Sequence, residues 1–267
     1  YICGSDQIWN YDLVKGASKL SGVAKEYYLN FGSKSIKRIA YAPSFGSGKI
    51  PDELKDEITL YLSRFDYLSV REKSGVEMVE GLGFKDVAWM PDPTFLLKPK
   101  DYLNLELSKT NIKSNYVYSY VLEGQDDIVI KVLSILSDNN KLPVYNVFMG
   151  TTMKERNHHN ITPSPEQWLH YINDSSFVVT NSFHSTVFAI IFHKPFITLP
   201  LSGKASGRNE RIISLLNYLG LTDRILNDYS NEAVNKIKSQ TIDWVDVDYR
   251  LSQWREKAFK YLTNALK

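Results

Sequence analysis

The segment "TNSFHSTVFAIIFHKPFITLP", residues 180–200, is apolar enough for a core, yet it begins with side chains that could perform acid–base chemistry. Residues 177–180 form a predicted strand, so Ser182 and His184 lie just past its carboxyl end, where open α/β sheets bind ligands. The helix predicted to begin near Ser182 points free N–H groups at the same place, which favours an anion. His184 could exchange a proton there near neutral pH. The other interpretation is that Ser182 only caps the helix and His184 is a turn residue.

A basic segment, "LSGKASGRNERIISLLNYLG", follows closely. Its Gly/Ser loop carries Lys204 and Arg208, and the predicted helix that comes next sets Arg211 one turn beyond Arg208. Arginine forks match carboxylates and phosphates, so this segment could bind a doubly anionic substrate. It is not a P-loop, because the required spacing of Gly and Lys-Ser/Thr is absent. The other interpretation is a solvated loop whose cations meet water and Glu210.

The first half of the chain has its own candidate residues. Asp6 follows a strand and a Gly-Ser turn in "GSDQIWN", so it could accept a hydroxyl proton or bind a sugar, with Trp9 as a stacking surface. It could equally be the N-cap of a helix, which the pattern alone favours. Arg71 and Asp92 each follow a predicted strand, and each is either a substrate contact or half of a structural ion pair.

The composition restricts the class of protein. The chain has 267 residues, which suits two α/β domains or one long one, and a formal charge of +2, too small to indicate nucleic-acid binding. The lone Cys3 excludes an internal disulfide and a Cys-based zinc site, and fits a reducing compartment. No His, Asp and Glu set has metal-ligand spacing, and we expect His158 and His159 to be exposed in a polar loop. No apolar run reaches the roughly 18 residues of a membrane span.

Short β-rich runs alternate with helical patterns along the chain, which is typical of βαβ units and parallel sheets. In the first half we predict strands at residues 27–31, 38–42, 67–70 and 87–90, and helices at 51–65 and 74–84. After a proline-rich interruption, the pattern predicts strands at 116–121, 143–148, 177–180 and 195–199. It predicts helices at 126–138, 165–173, 185–192, 210–219 and 247–267. This division predicts a domain over 1–100, a second over 101–245, and a helix over 246–267 that can cross back to the first.

Six motifs, in order and in register, resemble those of the polysaccharide pyruvyl transferase family, and the resemblance covers nearly the whole chain. They are "GSDQIWN", "APSFG", "LSVREKSGVEMVEGLGF", "PDPTFLL", "TNSFHSTVFAIIFHKPF" and "RNERIISLLNYLGLTDR". The resemblance implies an α/β protein with two Rossmann-like domains in a GT-B-like arrangement. The family's first segment normally precedes the "GSDQ" strand, so we expect the first domain to lack its N-terminal segment.

The resemblance also implies a transferase that moves pyruvate from phosphoenolpyruvate onto a pair of sugar hydroxyls, as a cyclic ketal, during surface polysaccharide synthesis. Our hypothesis is that Arg208, Arg211 and the helix start at Ser182 hold the carboxylate and phosphate, with Arg71 and Lys204 as further binding residues. His184 would be the general acid and Asp6 the base on the acceptor side. We expect no cofactor and no metal. The acceptor would be a glycan or a lipid-linked oligosaccharide, and a lipid-linked one would bring a cytoplasmic enzyme to the membrane face.

One departure from the family pattern bears on the donor site. Well-studied branches place a basic residue two positions before the histidine, where this chain has Ser182. Its share of anion binding must then fall to Arg211, Arg208, Lys204 or Arg71, or else the donor is a compound other than phosphoenolpyruvate. Two other functions stay open at this point: a GT-B glycosyltransferase that uses a nucleotide sugar, and a non-catalytic glycan-binding relative.

Overall fold

A computed structural model describes residues 1–13, 24–104, 115–122, 126–137, 141–147 and 157–267 of the chain. They form two compact units. The first comprises Tyr1–Leu96, Lys204–Leu219 and Asp248–Lys267, and the second comprises Leu97–Gly203 and Gly220–Val247. The segment Lys204–Leu219, which the sequence pattern put in the second domain, thus packs within the first unit.

The described strands follow one another along the chain as short parallel elements. They are β1 (Ile2–Cys3), β2 (Ile39–Ala40), β3 (Ser69–Val70), β4 (Ala88–Trp89), β5 (Val117–Tyr120), β6 (Val144–Val147), β7 (His158–Ile161), β8 (Phe177–Thr180) and β9 (Phe196–Thr198).

The described α-helices alternate with these strands. They are α1 (Lys55–Leu62), α2 (Lys73–Gly81), α3 (Pro99–Leu103), α4 (Asp126–Leu136), α5 (Pro165–Asp174), α6 (Phe183–Ile191), α7 (Glu210–Leu219), α8 (Asn231–Ser239) and α9 (Trp244–Leu266). Within the described part of the chain, no helix combines the length and the apolar character that a membrane span requires.

The first unit is built on β1–β4. Strand β1 pairs in parallel with β2, and β3 pairs in parallel with β4. An isolated bridge between Ile39 and Tyr67 joins the two pairs. Because all four strands run the same way, the loops that follow them meet at one edge of the layer.

The core of the first unit explains why its elements form. Helix α1 follows Pro51 and carries acidic residues in its first turn, as a helix N-terminus prefers, and it buries Ile58, Tyr61 and Leu62. In α2, Gly75 lies so close to Val70 that an added Cβ would be 3.2 Å from that side chain, so the glycine lets the helix approach β3.

Two sequence-based expectations for this unit are wrong. Residues 27–31 are not a strand: Lys25–Tyr28 is a 3-10 helix that ends at Leu29 in the left-handed conformation, with φ of 53°. Trp9 is 2% exposed and stacks on Tyr28 with ring centroids 5.0 Å apart, so it belongs to the core and cannot stack on a sugar. The aromatic residues that suggested a strand and a sugar platform instead pack on each other.

The second unit is a five-stranded parallel sheet in the order β7-β6-β5-β8-β9. Chain order runs outward from β5 to β7 on one side and from β8 to β9 on the other, so the direction of winding reverses between β5 and β8. Helices α4 and α8 pack together beside β5 and bury an apolar cluster that includes Val132, Leu133 and Val234. Such a reversal creates a crevice outside the carboxyl ends of the two central strands.

One element of this sheet differs from expectation. His158 and His159 do not lie in a polar loop but in β7, which pairs in parallel with β6 through Val144 and His158. His159 is exposed, as we expected, while His158 is half-buried. A strand without an apolar alternation is tolerated here because β7 is at the end of the sheet, where β6 supplies the main-chain hydrogen bonds.

Candidate functional site

Strand ends of the first unit bring three carboxylates to one guanidinium. Arg71 follows β3, and its Nη1 lies 2.7 Å from the Oδ2 of Asp92, which follows β4. Its Nη2 lies 3.4 Å from the Oδ1 of Asp6, which follows β1, and its Nε lies 3.3 Å from the Oε1 of Glu72. The sequence predicted that Asp6, Arg71 and Asp92 each follow a strand; the parallel pairing places them together.

The pair formed by Arg71 and Asp92 is internal to the fold. Both side chains are 2% exposed. Asp92 also accepts hydrogen bonds from the Ser5 hydroxyl at 3.0 Å and from the backbone N–H and hydroxyl of Thr94 at 3.1 and 2.8 Å. Both carboxylate oxygens of Asp92 therefore have hydrogen-bond partners within the protein. The sequence left two interpretations open for Arg71 and Asp92, a substrate contact or a structural ion pair, and the structure shows the ion pair.

Asp6 presents a carboxylate from an unusual backbone. Its φ is 67°, in the left-handed region, and its side chain is 60% exposed. The carbonyl of Asp6 accepts a hydrogen bond from the backbone N–H of Ser44 at 2.8 Å, which fixes the turn against the loop after β2. The competing interpretation, an N-cap, does not hold for Asp6. Residues 11–13 are helical, and it is the side-chain oxygen of Asn10, directly before them, that accepts from the backbone N–H of Leu13 at 3.3 Å. A strained residue with an exposed carboxylate at a strand end is a candidate for function.

Glu72 is a further charged residue of this cluster that the sequence analysis missed. It is 3% exposed, and burial raises the pKa of its carboxyl above the ordinary value, against the opposing effects of Arg71, a hydrogen bond with Ser44, and Arg211. The "VRE" sequence gave no signal for this, because an acidic residue before a helix usually faces solvent.

Helix α7 brings the basic segment to the same unit. The backbone N–H of Lys73, at the start of α2, donates to the hydroxyl of Ser214 on α7 at 3.0 Å, which fixes the two helices against each other. Arg211 is 8% exposed, and its Nε donates to the carbonyl of Arg208 at 3.3 Å. Arg208 is half-buried and Lys204 is exposed.

The electrostatic setting of Arg211 favours an anion. Burial, then the positive charge of Arg71, lowers the pKa of the Arg211 guanidinium to about 10, in spite of the opposing effects of Glu72 and Asp6. The group still carries its charge at neutral pH, but in surroundings that destabilise that charge. An anionic ligand would relieve this cost.

His184 and Ser182 lie in the second unit, at the reversal of the sheet. Ser182 is the N-cap of α6, and its hydroxyl accepts from the backbone N–H of Ser185 at 3.4 Å, which confirms the predicted cap. The Thr180 hydroxyl donates to the carbonyl of Tyr120 at 2.6 Å and accepts from the Ser182 N–H at 2.9 Å. These bonds join the carboxyl ends of β5 and β8. His184 lies in the first turn of α6 and is half-buried.

The predicted site residues therefore fall into two groups. The first unit holds Asp6, Arg71, Lys204, Arg208 and Arg211, and the second unit holds Ser182 and His184. Among the described residues, no group of three or more His, Cys, Asp or Glu side chains could hold a metal ion.

Comparisons with known proteins place this chain in context. Residues 1–203 match the family model described as polysaccharide pyruvyl transferase. Among curated proteins none matches the sequence.

Two solved structures have a similar fold. UDP-GlcNAc 2-epimerase from Neisseria meningitidis, bound to UDP-GlcNAc, is 11% identical, with a TM-score of 0.57 over 91% of this chain and 72% of that one. The enzyme from Methanocaldococcus jannaschii, in complex with UDP-GlcNAc and UDP, is 12% identical, with a TM-score of 0.53 over 88% of this chain and 74% of that one. At this identity the likeness shows the fold alone, which is of the GT-B type, with α/β units built on parallel sheets.

Proposed function

Because the chain belongs to the polysaccharide pyruvyl transferase family and is a transferase, we propose that it moves a pyruvyl group from phosphoenolpyruvate to two hydroxyls of one sugar. The product is a cyclic ketal on a surface polysaccharide or its precursor, and the acceptor is a glycan or a lipid-linked oligosaccharide. No cofactor is required, since the donor carries its own leaving group. A lipid-linked acceptor would hold the enzyme at the cytoplasmic face of the membrane.

The observation that carries the proposal is the buried guanidinium of Arg211. Phosphoenolpyruvate carries its carboxylate and its phosphate on the same carbon, C2, and arginine binds both groups through paired N–H donors. Arg211 is buried near a second cation, Arg71, and burial together with that charge lowers its pKa to about 10. Arg208, one turn earlier, adds a partly exposed guanidinium, and we assign the donor anions to Arg208 and Arg211, with Lys204 at the exposed margin. Arg71, whose guanidinium is buried against Asp92, supports this group through its charge.

The proposed reaction needs one proton donor and one acceptor. We assign the donor to His184, which protonates the methylene carbon of the enol and leaves positive charge on C2. The first sugar hydroxyl adds to C2, the second displaces phosphate, and the ring closes. The two sugar hydroxyls lose one proton each. One of these protons restores His184, which gave its own proton to the new methyl group, and the other leaves with phosphate. A well-placed acid of this kind contributes roughly 10² to 10⁴ in rate.

Asp6 is the proposed base on the acceptor side. Its carboxylate is exposed, whereas Asp92 and Glu72 are buried, so of these three only Asp6 is open to a sugar hydroxyl. Arg71 lies 3.4 Å from one of its oxygens and holds that carboxylate at the strand end. Ser182 contributes through the first turn of α6, whose N–H groups favour negative charge.

The donor assignment is tested by binding. The affinity for phosphoenolpyruvate is measured by calorimetry on the wild type, on Arg211→Gln and on Arg250→Gln. Arg250 is a matched control, an exposed arginine of the same unit that donates to the carbonyl of Tyr218. We expect Arg211→Gln to weaken binding by about 10- to 100-fold, as loss of a hydrogen bond to a charged group does, and Arg250→Gln to change it little. Equal affinities in all three proteins would overturn the assignment.

The product is tested by following phosphate release and the mass of candidate acceptor glycans, which must gain a pyruvyl ketal. His184→Asn should lower the rate of phosphate release by about 10²- to 10⁴-fold without loss of folding. His170→Asn, which changes a matched histidine on α5, should leave that rate unchanged. Phosphate release without a change in acceptor mass would indicate simple hydrolysis and contradict the transfer.

A second candidate function is favoured by one specific observation. The reversal between β5 and β8 is the place where open α/β sheets bind nucleotides, and two structures of the same fold type hold UDP-GlcNAc. A nucleotide-sugar glycosyltransferase would use that crevice. Thermal stabilisation by UDP-sugars but not by phosphoenolpyruvate would favour this candidate over the pyruvyl transfer, since a ligand at 100 times its Kd stabilises by about 2.7 kcal/mol.

A further inference from the structure

Glu72 is a buried carboxylate that interacts with two guanidinium groups of the first unit. It follows Arg71 directly, and its Oε1 lies 3.3 Å from the Nε of Arg71. It also attracts Arg211 electrostatically, and that attraction acts in both directions: Arg211 stabilises the ionised carboxylate, and the carboxylate stabilises the charge of Arg211. Its side chain is 4% exposed, so no sugar or donor can reach it.

The groups that face Glu72 come from three elements. Arg71 lies at the end of β3, Arg211 comes from the first turn of α7, and Ser44, in the loop after β2, hydrogen-bonds to the carboxylate. Two more carboxylates, Asp6 and Asp92, are near by because Arg71 also pairs with both. Glu72 combines burial with a second guanidinium, that of Arg211, as an electrostatic partner.

A ligand anion on Arg211 would compete with Glu72 for the same positive charge. Its own negative charge would come close to a carboxylate that has almost no access to water. In a buried site, one elementary charge several ångströms away changes proton affinity by roughly 10- to 100-fold. Burial already disfavours the charged form of this carboxylate and raises its pKa, so a further rise brings it towards the neutral form.

We propose that Glu72 is a positioning residue for anion binding in the first unit, and that its carboxylate takes up one proton from solvent when a polyanion binds at Arg211. No other bond forms or breaks. The protonated carboxyl keeps its place beside Arg71 while Arg211 pairs with the ligand. This inference rests on the proposed binding of the donor at Arg211 and adds that such binding is linked to protons.

The linkage has a definite sign. A group whose pKa is higher in the complex than in the free protein makes binding stronger at low pH and weaker as the pH rises through its value in the complex. Affinity for an anion that does not titrate should therefore fall with rising pH. Sulfate is such an anion between pH 6 and 8, and phosphoenolpyruvate is not, since its phosphate titrates near that range.

The test is calorimetry with sulfate and, separately, with phosphoenolpyruvate, in pairs of phosphate-free buffers that differ in ionisation enthalpy. In wild type we expect net proton uptake on sulfate binding at pH values where the Glu72 carboxyl is ionised in the free protein and protonated in the complex. The affinity for sulfate should fall by about 10- to 100-fold in all as the pH rises through that range. Glu72→Gln should show neither. Glu77→Gln, which changes an exposed glutamate on the helix α2 that follows Glu72, should behave as wild type. A merely structural role for Glu72 would change affinity or stability but not the number of protons bound.

The outcomes separate this inference from the donor assignment. Proton uptake with sulfate but no binding of phosphoenolpyruvate would support the role of Glu72 and overturn the proposed donor. Binding of both anions with no proton uptake in wild type, or binding of phosphoenolpyruvate but not of sulfate, would overturn the role of Glu72 alone. If neither anion binds, both assignments are overturned. If Glu72→Gln does not fold, infrared spectra of wild type decide: a protonated carboxyl band that appears with sulfate and moves on isotopic labelling of glutamate is expected, and its absence contradicts the proposal.

Discussion

Arg71 and Asp92 form an ion pair of 2.7 Å in which each side chain is only 2% exposed. The guanidinium comes from the end of β3 and the carboxylate from the end of β4, so the pair joins two neighbouring strands where their main-chain pairing stops. Ser5, from the end of β1, donates to the same carboxylate at 3.0 Å. One buried network thus fixes the edge of the first unit that carries the exposed carboxylate of Asp6.

The first prediction concerns the stability of this network. Asp92→Ala removes the carboxylate that pairs with the buried positive charge of Arg71. Loss of one partner of a buried ion pair costs about 3–5 kcal/mol of stability. Equilibrium urea unfolding measures this loss. Asp52→Ala is the control, because Asp52 pairs with Lys55 at 2.6 Å on the surface, with its side chain 91% exposed. We expect no measurable change there. Similar midpoints for the two variants would mean that the network around Asp92 does not stabilise the fold.

The second prediction concerns pH. Burial raises the pKa of Glu72 above its ordinary value of 4.5. Between that value and the raised one the folded state binds more protons than the unfolded state, so this group makes stability fall as the pH rises through the window. The free energy of unfolding of wild type relative to Glu72→Gln should therefore decrease from pH 4 to pH 8. Glu77→Gln, which changes an exposed glutamate on α2, is measured in parallel as the control for the loss of one surface charge. A flat difference for Glu72→Gln would contradict the shift.

Much of the fold could be predicted because hydrophobic periodicity is a local property. The strand Phe177–Thr180 and the helix Glu210–Leu219 have the predicted bounds. The prediction failed for residues 27–31, where "YYLNF" reads as a strand by composition, but Tyr28 instead stacks on Trp9, which is distant in sequence. It missed β7, since "HHNI" has no apolar alternation and forms a strand only because β6 is beside it.

The candidate site was predictable to a similar degree. The rule that ligands gather at the carboxyl ends of parallel strands is enough to single out Asp6, Arg71 and Asp92 by their positions in the chain. Burial was not predictable: nothing in "VRE" shows that Arg71 is 2% exposed or that Glu72 is enclosed with it. The position of Arg211 in the sequence, far from Arg71, also does not indicate that α7 packs in the first unit. The packing of a helix against segments distant in sequence depends on the tertiary fold.

The third prediction concerns the loop that follows β2. Gly46 has φ of +70°, and a Cβ there would overlap the side-chain amide of Asn10. Gly46→Ala should therefore lower stability by more than the roughly 1–2 kcal/mol of a left-handed alanine alone. Gly48→Ala is the control, since nothing lies within 4 Å of its added Cβ. Thermal unfolding compares the two. Equal losses would show that the loop has room to shift away from Asn10.

The fourth prediction concerns Asp6 as the proposed base. Its side chain is 60% exposed, so Asp6→Asn should change stability little. Pyruvyl transfer, followed by phosphate release with the acceptor glycan, should have a kcat lower by about 10²- to 10⁴-fold, because an amide cannot accept the hydroxyl proton. Affinity for phosphoenolpyruvate should persist, since we assign the donor anions to Arg208 and Arg211.

Asp86→Asn is the matched control for that experiment. Asp86 is also an exposed aspartate in the left-handed conformation, with φ of 60°, but it lies before β4, at the opposite end of the strands from Asp6. Asparagine tolerates this conformation as well as aspartate does, so neither substitution strains the backbone. A fall in kcat for Asp6→Asn alone assigns the effect to the carboxylate at the strand end. An equal kcat for both variants and wild type would remove Asp6 from the mechanism, and a loss of donor affinity in Asp6→Asn would mean that it positions Arg71 or Arg211 instead.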